Sequence, residues 1–192
     1  MATLSVGGTT VFDEAVLQSG VTGTGITSGT ITSGVTFPAG HIIQVAPFTG
    51  SYTAQTTGDT NEHDIEQSSG VAWEPQITVA SGNKILIHAT LNTKMSNSTG
   101  ADTRAKFKLY QKIGSGAYAV VYENSDAIGG YDYGGSGVWV KNPFVFTLIM
   151  NPNSAELIKY KMSHQKNESA AYFNFNSEPA DHSEVILMEV TT

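Results

Sequence analysis

The chain has 192 residues, with 10 Lys and Arg against 17 acidic residues and a formal net charge of −7. Phosphate recognition needs Lys and Arg to displace counterions, so neither nucleic acid nor an anionic membrane is an expected partner. The chain has no cysteine, which excludes disulfide stapling, thiolate catalysis and Cys-ligated zinc.

The N-terminal stretch differs in kind from the rest of the chain. Met1 to Ser5 lacks a basic region leading into an apolar run, so no secretory signal is expected. Residues before Phe37 are mostly Gly, Ser, Thr, Val and Ile, whereas seven of the eight Phe, every Tyr and both Trp lie from Phe37 onward. This shift predicts an extended N-terminal arm over 1–36 and a β domain over 37–192. Within the arm Val16, Val21, Ile26 and Ile31 recur at a step of five. That step matches neither a helix nor a single flat strand, and suits short extended pieces broken by Gly turns. Ordering about 25 such residues costs roughly 1–2 kcal/mol each. Burying five aliphatic side chains returns only about 1.5–3 kcal/mol apiece. The arm is therefore expected to order on a borrowed surface: a sheet edge, a second copy or another protein. The bland alternative is a flexible Gly/Ser/Thr linker. The expected docking residues are Val11, Phe12, Val16, Val21, Ile26 and Ile31.

Past Phe37 the pattern predicts strand after strand. Stretches 41–46, 71–74 and 76–79 come first, the last two parted by Pro75; 84–91 and 105–113 come next. In 105–113 apolar Phe107 and Leu109 alternate with Lys106 and Lys108. Gly-Ser-Gly at 114–116 signals a hairpin into 118–122. Stretches 144–150, 157–162, 171–175 and 185–190 complete the set. The run Phe144–Met150 is the longest apolar one; it is too short to cross a bilayer and is typical of a buried strand. Short strands at this spacing argue for an all-β antiparallel fold, a sandwich or a jelly roll rather than a βαβ fold, behind an extended N-terminal arm.

Two long polar segments, 49–70 and 124–137, read as loops that serve a function or meet a neighbour. The first contains Asp59-Thr-Asn-Glu-His-Asp64, a loose imitation of a calcium loop. It lacks Gly at the sixth position, and Gly70 stands where the twelfth should be acidic, so a solvated acidic loop is expected. The second contains Tyr131-Asp132-Tyr133 between glycines, a candidate recognition tip for a sugar or a protein, against a plain turn with half-buried tyrosines. The five histidines are scattered without metal-ligand spacing, and His88 reads as a strand-face residue. No nucleophile elbow or phosphate loop is present. Neither catalysis, a metal nor a cofactor is expected.

Five segments taken in order carry a resemblance: 35–45 (VTFPAGHIIQV), 82–92 (GNKILIHATLN), 107–118 (FKLYQKIGSGAY), 151–162 (NPNSAELIKYKM) and 185–190 (VILMEV). Together they resemble the C-terminal β domain of virion surface proteins of tailed bacteriophages, notably phages of aquatic bacteria. The resemblance covers roughly 35–190 and is most specific in the Phe-Pro-Ala-Gly-His opening combined with the Ile-Leu-Met-Glu ending. It implies a jelly-roll-like sandwich, a homotrimer, display on a capsid or fibre at the virion surface, no cofactor and no catalytic residue. Family members often carry a long shaft before this domain; here about 36 residues precede it, spanning roughly 100 Å when extended. That favours a capsid decoration (cement) or head-fibre protein whose partner is the major capsid protein or another virion protein. The alternative is a short tail- or head-fibre module that recognises host-surface glycans.

Overall fold

The computed structural model describes residues 3–6, 9–13, 16–17, 39–50, 55–57, 60–68, 70–97, 103–130, 139–166, 171–175 and 183–192. The chain divides into two compact units, Met1–Thr36 and Phe37–Thr192.

In the first unit β1 (Thr3–Val6), β2 (Thr9–Asp13) and β3 (Val16–Leu17) form a three-stranded antiparallel sheet in that order. Leu4 pairs with Phe12, Phe12 with Leu17, and Asp13 with Val16. The front of the predicted arm thus pairs with itself, while the five-residue-step stretch beyond Leu17 lies outside the described residues. The reason is local: Thr, Val and Phe favour extended backbone, and β1 and β2 pair from Val6–Thr9 outward. Val11 and Phe12 stand on β2 and Val16 opens β3. Val21, Ile26 and Ile31 lie outside the described residues.

The second unit runs β4 (Ile42–Gly50), β5 (Gln55–Thr57), β6 (Glu62–Asp64), β7 (Glu66–Ser68), β8 (Val71–Ala72), β9 (Gln76–Thr78), β10 (Lys84–Asn97), β11 (Thr103–Ile113), β12 (Ala119–Gly130), β13 (Trp139–Met150), β14 (Leu157–Lys166), β15 (Ala171–Phe175) and β16 (Ser183–Val190). Several short strands share a lane. β16 pairs with the first half of β10 and β15 with the second, so the two lie end to end; β4 and β5 flank them in the same way. β6 and β9 likewise lie end to end along β14. β13 covers the other side of β10, and β11 joins β14 to β12. Numbering the lanes along the chain gives one sheet of order 1-8-3-6 and a second of order 2-7-4-5. That is the strand order of a jelly roll. Every described element is a strand and all pairings in both sheets are antiparallel, so the expected fold class is the one observed.

The core lies between these sheets and follows the period-two alternation of strands. β10 contributes Ile85, Ile87, Ala89 and Leu91, all fully buried, and β11 contributes Ala105, Phe107 and Leu109. Val185 and Leu187 come from β16, and Ile158, Tyr160 and Met162 from β14. The Phe107 ring sits 4.9 Å from that of Phe144 and 5.1 Å from that of Phe146. Between β6 and β9 the chain makes an excursion through the β7–β8 hairpin. It leaves the lane at Ile65, whose N–H bonds to the Met162 carbonyl at 2.9 Å, and returns at Pro75, whose carbonyl accepts from Tyr160 N–H at 2.9 Å. The excursion tucks Ile65 and Trp73 into the core. The predicted hairpin turn at 114–116 is present, with Gly114 at φ 53°, a left-handed conformation that suits glycine.

Two loop expectations are corrected. Within 49–70, Glu62–Asp64 is a strand, held by register with Ser163–Gln165. The segment from Asn124 remains strand through Gly130, paired with β11 up to Thr103. In both places main-chain pairing overrides polar side chains that individually disfavour strands.

Candidate functional site

The two sheets present outer faces of opposite chemistry. On the second sheet, β11 turns Lys106, Lys108, Tyr110 and Lys112 outward. Lys108 is in register with Ser163, Tyr110 with Lys161 and Lys112 with Lys159 on β14. So many lysines would repel one another, but carboxylates from neighbouring segments meet them. Lys108 Nζ stands 2.6 Å from Glu62 Oε2, Lys161 Nζ 2.9 Å from Asp64 Oδ1, Lys159 Nζ 3.1 Å from Glu74 Oε2 and Lys106 Nζ 3.6 Å from Glu123 Oε1. Lys161 also lies over the rings of Tyr110 and Tyr118, 5.1 and 5.3 Å from their centroids.

Glu62 is the hub of this face. Ser163 Oγ donates to its Oε1 at 2.7 Å, and the Tyr110 hydroxyl donates to the same oxygen. Burial by itself would raise the Glu62 pKa, but the hydrogen bonds from Lys108, Tyr110 and Ser163 and the Lys108 charge win, lowering it from 4.5 to about 2. The same contact raises Lys108 above the ordinary lysine value. Tyr110 is raised too, first by burial and then by Glu62.

These contacts engage Glu62, His63 and Asp64 of the acidic stretch that imitated a calcium loop, whose Asp59 lies outside the described residues. Asp64 is engaged with Lys161, Glu62 with Lys108, and the His63 ring stacks on His164 at 5.9 Å. Among the described residues no three His, Asp or Glu side chains form a group that could hold a metal ion.

The outer face of the first sheet is apolar along one row of side chains and mixed beyond it. Register places Val45, Met188, Leu86 and Ile149 in one row across four strands. The next row is Pro47, Ile186, His88 and Thr147, and the third is Thr49, Glu184, Thr90 and Val145. Val45 is 56% exposed, Val145 53% and Ile149 66%. His88 stands on this face as a strand residue, with Nδ1 2.9 Å from Thr147 Oγ1. At one end of the face lies a hollow of about 360 Å³ bounded by Gly40, Lys84, Leu86, Ile149, Val190 and Thr192.

Sequence reasoning did not single out either face. The signal for the apolar one was present: Ile85-Leu-Ile87 and Val185-Ile-Leu-Met188 are apolar at consecutive positions, which a strand covered on one side only does not require. Of the residues singled out for recognition, Tyr131, Asp132 and Tyr133 lie outside the described residues.

Strand order and these two faces define the class as a jelly-roll β-sandwich with one ion-paired and one partly apolar outer surface. No protein-family model matches the sequence, and no curated protein does. Among solved structures the chain is similar to the VP2 subviral particle of infectious bursal disease virus, at 12% identity and a TM-score of 0.42, over 77% of this chain and 32% of that one. It is similar also to the CBM22-1 xylan-binding domain of Paenibacillus barcinonensis Xyn10C, at 13% identity and a TM-score of 0.30, over 82% of this chain and 99% of that one. The chain thus spans about a third of the VP2 chain's length. The fold assignment rests on the chain's own strand order.

Proposed function

We propose that the protein is a virion structural protein, a capsid decoration or head-fibre protein of a tailed bacteriophage. Its jelly roll is displayed as a homotrimer at the virion surface, and its N-terminal unit binds the major capsid protein or another virion protein. The observation that carries this reading is the division at Thr36/Phe37 into a small β unit and a jelly roll. The sequence resemblance over 35–190 to phage surface domains supports it.

The mechanism is binding alone. β1 and β3 are the edges of the N-terminal sheet, and sheet edges present unpaired N–H and C=O groups to an incoming strand. Strand addition supplies main-chain hydrogen bonds, while apolar side chains such as Val11, Phe12 and Val16 select the partner surface. Val21, Ile26 and Ile31 extend the same apolar set along the chain. Deletion of residues 1–34 should leave a folded, trimeric sandwich that no longer sediments with purified capsids. Undiminished capsid binding by that truncation refutes the reading.

A further inference from the structure

We infer that the outer face of the β4–β16–β10–β13 sheet is covered by another copy of this chain. The inference goes beyond the proposed function: a face that meets itself is a two-fold contact, which pairs chains and does not by itself close a trimer.

Three observations carry it. The first is extent. Four strands at about 4.8 Å and seven residues at about 3.4 Å give a sheet face of roughly 400 Å² in projection. Side-chain relief raises the accessible area above that. Seven of the twelve positions in its three rows are apolar, so its apolar part lies within the range that monomeric proteins expose in one patch, where such a patch is often functional. Two such faces brought together bury on the order of 1,200 Å², the threshold of a stable standard interface.

The second observation is charge. Between Lys84 and Thr90 the middle of the face carries no Asp, Glu, Lys or Arg, and Lys84 and Glu184 stand at its opposite ends; further along the same strands Lys94 is in register with Lys141. Lys84 pairs with Val190 at one end and Glu184 with Thr90 at the other, in adjacent strands. Six residues of strand separate them, about 20 Å. A second copy laid across the face in the opposite sense brings its Lys84 towards the first copy's Glu184, and its Glu184 towards the first copy's Lys84. The same face is therefore complementary to itself in charge as well as in hydrophobicity, as self-association requires.

The third is shape. The hollow beside Leu86 and Ile149 has apolar walls and Lys84 at its rim. Its volume accepts one or two aliphatic side chains from a facing copy.

The test uses the full chain and its mass in solution by light scattering. Ile149 and Val45 are more than half exposed, so Ile149→Glu and Val45→Glu leave the sandwich core untouched. The wild type should have a mass at least twice that of one 20.4 kDa chain. Either variant should shift the population to single chains, with unchanged far-UV dichroism and at least tenfold weaker association. Val120→Glu is the control: Val120 is 47% exposed on the other sheet, and its variant should associate as the wild type does. A monomeric wild type, variants that still associate fully, or equal disruption by Val120→Glu overturns the inference. A wild-type dimer that Ile149→Glu dissociates supports the inference while refuting the trimer of the proposed function. Loss of association with capsid binding retained by the 1–34 deletion supports it while refuting the arm's role.

Discussion

Replacing Glu62 with Gln removes one charge from the centre of the ion-paired face and keeps the side chain's shape. The Glu62 pKa falls from 4.5 to about 2 on folding, which taken at face value is worth roughly 3 kcal/mol. The Glu62 side chain is 30% exposed, so water screens it and about 1–2 kcal/mol is the figure to expect. The sign follows from the direction. A carboxyl whose pKa is depressed in the folded state contributes its full stability above the unfolded value of 4.5. That contribution drains away as pH falls from 4.5 towards about 2. Urea unfolding of the wild type and Glu62→Gln at a series of pH values measures this directly. The difference should be about 1–2 kcal/mol at pH 7, should narrow below pH 4.5 and should vanish near pH 2. Taking the difference isolates Glu62, because every other carboxylate titrates in both proteins. A gap that stays constant down to pH 2, or no gap at neutral pH, refutes the argument that Lys108, Tyr110 and Ser163 hold Glu62 ionised.

Phe107→Ala should cost about 3–5 kcal/mol in chemical denaturation, because a fully buried ring packed against Phe144 and Phe146 leaves a cavity that neighbouring strands cannot close; a loss below about 1 kcal/mol contradicts the central place given to it. The Tyr131→Ala, Tyr133→Ala double variant should leave capsid binding unchanged. If the wild type instead binds host envelopes saturably and the double variant does not, the glycan-recognition alternative replaces the decoration reading.

Strand positions are legible wherever apolar and polar residues alternate over five or more places, as in Ala105–Ile113. Strand ends are not. β10 continues through Thr93–Asn97, and β12 through Asn124–Gly130, on main-chain pairing with Phe175–Ala171 and with Thr103–Phe107. Hydrogen bonds between backbones leave no mark on side-chain pattern. Glu62–Asp64 is hidden for a second reason: its stabilisation comes from Lys108 and Lys161, 46 and 97 residues away in the chain. The N-terminal strands carry a sequence signal that the five-residue step obscures, since the hairpin-favouring dipeptide Gly7-Gly8 stands between the β-prone stretches 3–6 and 9–13.

The apolar run Phe144–Met150 reads as a buried strand, and the structure agrees for one side of it. Phe144, Phe146 and Leu148 pack on the core, while Val145 and Ile149 stay more than half exposed. Strand propensity alone does not force this outer row. β11 places Lys at alternate positions on its own outer side, and Thr90 and Thr147 satisfy a solvated strand position on this very face. An apolar residue on both sides of a strand is the pattern of a sheet covered on both sides. The single chain provides the inner cover. With a second copy providing the outer one, the run becomes what its composition implies, a strand buried on both faces, and Ile149→Glu acts on assembly rather than on folding.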